Sequence, residues 1–204
     1  MSSTLTSDRC AAASLPAALA DMTQTPLRRF TQLFVCGLTL GAGGNALAAS
    51  LVPSAVFFQA GFGDQRTDAS LAGLTWTVPL QYECSYGWVG AVVEAALGRW
   101  HTEERQESTA WPTQISATPT LRFYPSRLSA WFAELGVGAN YIVPLFQSEH
   151  KRFSTKFNFG DHAAVGRTFG RSEVSLRIEH FSNAGISHPN PGETFGQLRY
   201  AYRL

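Results

Sequence analysis

The sequence contains few cysteines and no apolar run of transmembrane length, and both features limit what the protein can be. Cys10 and Cys36 lie in the N-terminal region, which leaves Cys84 alone in the rest of the chain. One cysteine can form neither an internal disulfide nor a thiolate cluster for a metal. The chain is therefore held together by something other than disulfides.

The main apolar run, at 34–42, is too short for a helix that crosses a bilayer, which needs about 20 residues.

The sequence also lacks a marked excess of charge of either sign. It contains 16 basic and 15 acidic residues, which gives a formal net charge of +1 at pH 7. A nearly neutral chain offers no electrostatic reason to bind nucleic acid. There is no H-E-x-x-H motif, and no histidine stands at metal-ligand spacing from carboxylates or cysteines. We therefore expect no nucleic-acid partner, no bound metal and no cofactor.

The N-terminal region has the pattern of a secretory signal peptide. Arg28 and Arg29 precede the apolar run at 34–42, and an A-x-A site follows at 46–48. A basic segment, a short apolar segment and a small-residue site are read as a signal that is cleaved. We expect cleavage after Ala48 and therefore an exported protein.

Cleavage there divides the chain into two parts. Residues 1–48 form an N-terminal extension and signal peptide, and residues 49–204 are enough for one domain. Met22 would begin a signal peptide of ordinary length, so we expect translation to start there rather than at Met1.

The mature chain has no convincing helical period and instead alternates apolar with small or polar residues. Eight such runs lie near 56–62, 74–78, 89–97, 115–123, 131–141, 155–168, 174–178 and 198–204. Alternation of this kind is typical of strands with one buried face, so a soluble sandwich is one interpretation. The polar face, however, carries full charges at mid-strand, namely Glu94, Arg122, Glu134, Arg177, Glu179 and Arg199. A polar interior and an apolar outside edged with aromatics favour an eight-stranded antiparallel transmembrane β-barrel.

The connections between the runs support the same fold. Those at 101–109, 146–154 and 185–192 are long, whereas those at 125–127 and 169–171 are tight. Outer-membrane barrels have long outer loops and short periplasmic turns. We therefore expect an integral protein of the bacterial outer membrane. Its interior charges should form ion pairs that fill the barrel, since small barrels are packed with side chains.

A nucleophile and a base stand two residues apart at the end of the seventh run. His180 and Ser182 continue the apolar series Val174, Leu176 and Ile178, so they lie on the lipid-facing side of the strand. A serine needs an adjacent base, and that base needs a third group to orient it. Polar groups at the border of hydrocarbon are costly and are functional candidates by default. We therefore expect the substrate to be a lipid.

These residues belong to a longer motif. His180-Phe181-Ser182-Asn183-Ala184, followed by Asn190, Gly192 and Glu193, resembles the closing motif of the PagL family of outer-membrane lipid A 3-O-deacylases. The resemblance implies an eight-stranded barrel that hydrolyses the ester-linked 3-hydroxyacyl chain at position 3 of lipid A, without a metal, in the outer leaflet. It further implies the site residues: Ser182 as nucleophile, His180 as general base, Glu193 orienting the imidazole, and Asn183 with Gly185 as oxyanion or positioning residues.

Two residues near the motif raise questions of geometry. Glu193 stands at an odd position of a strand whose even positions face lipid, so regular pairing would point it inward. We expect it to reach His180 from the loop or through a β-bulge. His188, in the same loop, is the rival base.

Several alternatives stay open at this point. The barrel could be a non-enzymatic structural or adhesion protein, or the same residues could serve another lipid acyl hydrolase or an acyltransferase. Lipopolysaccharide is the expected partner of the deacylase, and we expect the protein to be a monomer or a homodimer. Arg105, Lys151 and Arg152, in the outer loops, could contact its phosphates or be ordinary solvated charges.

Overall fold

The computed structural model describes residues 51–64, 67–102, 111–148 and 150–204. The predicted signal peptide, its cleavage site after Ala48 and the loop residue Arg105 lie outside the described residues. Within the described ranges, no helix is long and apolar enough to span a bilayer.

Eight strands form one closed antiparallel barrel. They are β1 (Ala55–Gly63), β2 (Thr67–Cys84), β3 (Gly87–Thr102), β4 (Thr113–Tyr124), β5 (Trp131–Val143), β6 (Phe157–Phe169), β7 (Ser172–Ser182) and β8 (Glu193–Arg203). Each strand pairs with the next along the chain, and β1 pairs with β8 to close the barrel. Closure leaves no unpaired edge, which is what a strand protein needs in lipid. The predicted eight-stranded antiparallel barrel is confirmed.

The two faces of the strands follow the predicted alternation. In β7, Val174, Leu176 and Ile178 are exposed on the outside, whereas Arg177 and Glu179 are buried. The other predicted interior charges are also buried: Glu94, Arg122, Glu134 and Arg199. The outside is therefore apolar and the inside is polar, as a membrane-spanning barrel requires.

The interior charges pair with one another. Arg177 contacts Glu94 at 3.0 Å and Glu134 at 3.3 Å. Glu134 also binds Arg122 at 2.6 Å, and Glu94 binds Arg199 at 2.7 Å. The expectation that ion pairs fill the barrel is confirmed.

An aromatic cluster closes one end of the barrel. It consists of Trp100, Phe146, Phe153, Phe181 and Phe195. The ring centroid of Trp100 lies 5.0 Å from that of Phe181 and 4.8 Å from that of Phe195. We call this the loop end, because the connections at 144–156 and 183–192 lie there, and the opposite end the turn end.

One predicted loop boundary was wrong. His101 lies in β3, which continues to Thr102 because its pairing with β2 extends that far. The connection between β5 and β6 is long, as predicted, and spans 144–156. It is not simply a charged outer loop, because Phe146 and Phe153 fold into the barrel mouth and are 0% and 2% exposed.

Candidate active site

His180 and Ser182 lie at the end of β7, on the outer face of the loop end. Both side chains are half-buried, and Phe181 between them is fully buried in the aromatic cluster. Because successive strand residues point to opposite faces, anchoring Phe181 inside holds the other two outside. The predicted placement of this pair on one face is therefore observed.

The described hydrogen bonds of the pair go to other groups. His180 Nδ1 lies 2.8 Å from Oγ1 of Thr194, and Ser182 Oγ accepts from the backbone N–H of Ala184 at 3.4 Å. No direct bond joins Ser182 to His180 among the described contacts. In substrate-free sites the bond between nucleophile and base is often long and tightens only with substrate. With Nδ1 engaged, Nε2 is the nitrogen left to act on Ser182.

The structure does not bring Glu193 to His180. Its side chain is 1% exposed inside the barrel, where it binds Nζ of Lys151 at 2.9 Å. Glu193 pairs with Phe181, and Thr194 pairs with His180, in an unbroken register. The bulge that we expected is therefore absent between β7 and β8, and regular alternation turns the carboxylate inward.

Thr194 was missed in the sequence, although a signal for it exists. It is the residue directly across the ladder from His180, and both point outward. Side chains directly opposite each other in an antiparallel pair lie close enough to interact. Fixing the register of β7 against β8 would have revealed it.

Lys151 is held inside the mouth of the barrel. Its Nζ binds both Asp64 and Glu193 at 2.9 Å. Burial lowers the pKa of this amine, but the hydrogen bonds and charges of the two carboxylates outweigh burial and raise it. Lys151 therefore stays charged and ties the connection at 144–156 to β8. It is neither a freely solvated charge nor oriented by its contacts towards a phosphate outside.

Asn183 organises the loop that follows Ser182. It is 1% exposed, and its Nδ2 donates to Oγ of Ser154 at 3.0 Å and to the carbonyl of Ser187 at 2.9 Å. Its Oδ1 accepts from the N–H of Gly185 at 2.9 Å. Both amide hydrogens are thus committed to the loop, so the contacts in this structure do not orient the side chain as the oxyanion donor that the resemblance implied.

Two features of the loop face the reactive pair. Ala184 has a φ of 53°, uncommon for a residue with a side chain, and its N–H points at Ser182. Gly192 has a φ of 67°, and a Cβ there would lie 2.6 Å from Cε1 of His180. The loop therefore contributes one backbone donor beside the nucleophile and one close contact on the imidazole. His188, the rival base, is exposed in the same loop.

An apolar groove runs along the outer face next to the site. Small residues form its floor and larger apolar side chains its walls: Ala60, Phe62, Ala163, Val165, Leu176, Ile178, Gly196 and Leu198. The outward pair of Ile178 and Gly196 follows the pair of His180 and Thr194 along the ladder. With a volume of about 630 Å³, the groove offers an apolar path that leads away from the reactive pair.

Comparison with known proteins identifies one family. The family model for "Lipid A 3-O-deacylase (PagL)" matches residues 70–203. The curated lipid A deacylase PagL of Bordetella bronchiseptica is 30% identical over 170 residues, which cover 82% of this chain and 93% of that protein. A crystal structure of the outer-membrane enzyme PagL superposes with a TM-score of 0.65 at 23% identity. The superposition covers 74% of this chain and 100% of the chain in that crystal structure.

Proposed function

The chain belongs to the PagL family of lipid A 3-O-deacylases, and from that premise we propose that Ser182 and His180 perform the deacylation. The protein is an outer-membrane enzyme that hydrolyses an ester-linked acyl chain of lipid A, so the non-enzymatic barrel considered above no longer applies. The observation that carries the residue assignment is the placement of both side chains on the outer face, beside the apolar groove.

The reaction follows from this geometry. Ser182 Oγ attacks the carbonyl carbon of the acyl ester while Nε2 of His180 takes the hydroxyl proton. The tetrahedral intermediate expels the sugar oxygen, which receives that proton from His180. Water, activated by the same imidazole, then hydrolyses the acyl-serine, releases the 3-hydroxy fatty acid and restores the serine.

The oxyanion receives its hydrogen bond from the backbone N–H of Ala184. That N–H lies beside Ser182 Oγ, where charge develops on the neighbouring oxygen. Such a donor is worth about 3–4 kcal/mol in comparable sites. Asn183 and Gly185 position it by holding the turn through their mutual hydrogen bond. Glu193 acts through Lys151, by fixing the connection at 144–156 against β8.

The groove receives the acyl chain. In this arrangement the loop end faces the outer leaflet, where lipid A lies, and the chain to be cleaved runs along the groove past Ile178 and Gly196. Transfer of a methylene from water into an apolar site contributes about 0.8 kcal/mol. The acyl chain, however, moves into the groove from among other lipid tails, so this free energy of transfer is not gained. The groove therefore serves mainly to align the ester with Ser182.

Mass spectrometry of lipid A from cells that produce the protein tests this proposal. We expect the parent protein to remove one hydroxyacyl chain and Ser182→Ala to remove none, a loss of at least about 1,000-fold. Ser172→Ala, the same change at the turn end of β7, is the matched control and should retain activity. All proteins must be shown to reach the outer membrane. Unchanged lipid A with the parent would contradict the activity, and continued deacylation by Ser182→Ala would remove Ser182 from the mechanism.

A further inference from the structure

We propose that Thr194 is the positioning residue that orients the imidazole of His180. The inference rests on the proposed function, because it assumes that His180 is the base. The contact that supports it is a hydrogen bond: Oγ1 of Thr194 lies 2.8 Å from Nδ1 of His180. The two residues face each other across the ladder of β7 and β8, and both point outward.

The contact fixes which nitrogen does the chemistry. When Nδ1 carries the hydrogen and donates a hydrogen bond to the threonine hydroxyl, Nε2 holds the lone pair that accepts the proton of Ser182. Threonine is branched at Cβ and has few χ1 rotamers, so its hydroxyl is a well-defined acceptor. Gly192 packs against Cε1 of the same ring. The ring is thus located by one hydrogen bond and one van der Waals contact.

Glu193 cannot replace Thr194 without a change of register. Its carboxylate is inside the barrel and binds Lys151. A shift of one residue in β8 would turn every side chain of the strand to the other face. That shift would expel Phe195 from the aromatic cluster, in which it is fully buried. The ladder of β7 and β8 therefore assigns the position opposite His180 to a hydroxyl, and on the other side Asp161 of β6 pairs with His180.

A hydroxyl and a carboxylate differ in what they do for the base. Both can accept a hydrogen bond from Nδ1, but only a carboxylate adds a negative charge that stabilises the protonated imidazolium. Asp161, which pairs with His180 from β6 and is exposed on the same outer face, is present in every variant. A second carboxylate in place of Thr194 should thus keep the base protonated up to a higher pH than in the parent. This difference gives a readout that a merely structural residue would not move.

The test compares two substitutions at this position on purified protein in detergent micelles with lipid A as substrate. Thr194→Val has nearly the same shape and no hydroxyl, and Thr194→Ser keeps the hydroxyl. We expect Thr194→Val to lower kcat by about 10-fold to 100-fold with KM nearly unchanged, since it leaves the Nδ1 donor without its acceptor. Thr194→Ser should restore kcat to within about threefold of the parent. Parental kcat in Thr194→Val would overturn the inference.

Two further variants separate the possible failures. Thr194→Glu should remain active and move the acidic limb of the pH–rate profile to higher pH, because the new carboxylate stabilises the imidazolium. An unmoved limb would count against contact with His180. If Glu193→Gln instead loses activity with a shifted profile while Thr194→Val keeps it, Glu193 is the orienting residue. A Ser182→Ala protein that still deacylates lipid A would remove Ser182 from the mechanism, and with it the premise of this inference, whatever Thr194 does.

Discussion

Gly192 combines a backbone conformation and a close contact that other residue types cannot combine. Its φ of 67° lies in the left-handed region, and a Cβ there would approach Cε1 of His180 to 2.6 Å. We expect Gly192→Ala to displace the imidazole and lower the rate of lipid A deacylation by about 100-fold, since a shift of about 1 Å at a catalytic group can cost that much. The barrel itself should still form. Deacylation can be followed by mass spectrometry of lipid A over time.

Gly170 provides the control for that substitution. It has a φ of 60° in the turn between β6 and β7, and a Cβ there would meet nothing within 4 Å. Alanine at either position carries a similar backbone strain, of about 1–2 kcal/mol, but only Gly192 touches the imidazole. Gly170→Ala should therefore be fully active. Equal losses in the two variants would show that strain, and not contact with His180, explains the effect.

Single residues of the site could be predicted from the sequence only in part. The period of two placed His180 and Ser182 outside, and it also pointed Glu193 inward. It could not identify Thr194, because the residue opposite His180 depends on the register of β7 against β8. That register depends on the folded form of the loop at 183–192. The hydrogen bonds of the Asn183 side chain could likewise not be predicted, because its partner Ser154 lies in another connection, that between β5 and β6.

At the scale of elements, the existence of the strands was predictable, but their full lengths and the packing of the connections were not. Alternation indicates each strand, since one face meets lipid and the other the polar interior, yet it indicated only 74–78 of β2, which spans Thr67–Cys84. The connection at 144–156 looked like a charged outer loop. Its Phe146 and Phe153 instead pack on Trp100, with centroids at 5.1 Å and 6.1 Å. Such long-range contacts leave no periodic pattern in the sequence.

The groove beside β7 and β8 allows a prediction about this pair of strands. Gly196 faces outward at the groove floor, and a Cβ there would meet nothing within 4 Å. Gly196→Leu should fill the groove without disturbing the barrel interior. We expect it to lower deacylation about 10-fold or more, with the largest loss for long acyl chains, because the chain can no longer align with Ser182.

A leucine elsewhere on the outer face controls for that change. Ala117 in β4 is exposed on the outer face and does not line the groove. Ala117→Leu adds a similar apolar volume to the membrane surface and should leave deacylation unchanged. The two variants are compared by their deacylation rates on lipid A species of different acyl length. If Gly196→Leu has the parent's rate at every acyl length, the acyl chain does not lie in this groove.

The ion pairs across the interior concern the whole molecule, because they join strands on opposite sides of the barrel. Glu94 in β3 accepts from Arg177 in β7 at 3.0 Å and from Arg199 in β8 at 2.7 Å. Glu94→Gln removes the negative charge that these two buried guanidinium groups share. Arg199 then loses its ion pair, whereas Arg177 keeps the one with Glu134, and leaving a buried charge without its partner costs about 3–5 kcal/mol. We therefore expect this substitution to destabilise the barrel by about that amount.

Urea unfolding of the barrel in lipid vesicles, followed by tryptophan fluorescence, measures this effect. Glu83→Gln is the matched control, since Glu83 pairs with Arg127 at 3.0 Å but its side chain is 70% exposed. Exposed pairs contribute at most about 1 kcal/mol, so the control should unfold close to the parent. Glu94→Gln should unfold at a clearly lower urea concentration, while its folded fraction still deacylates lipid A, because Glu94 contacts no residue of the site. Equal midpoints for the two variants would mean that water in the interior screens the charges, and the ion pairs would then fill the barrel without stabilising it.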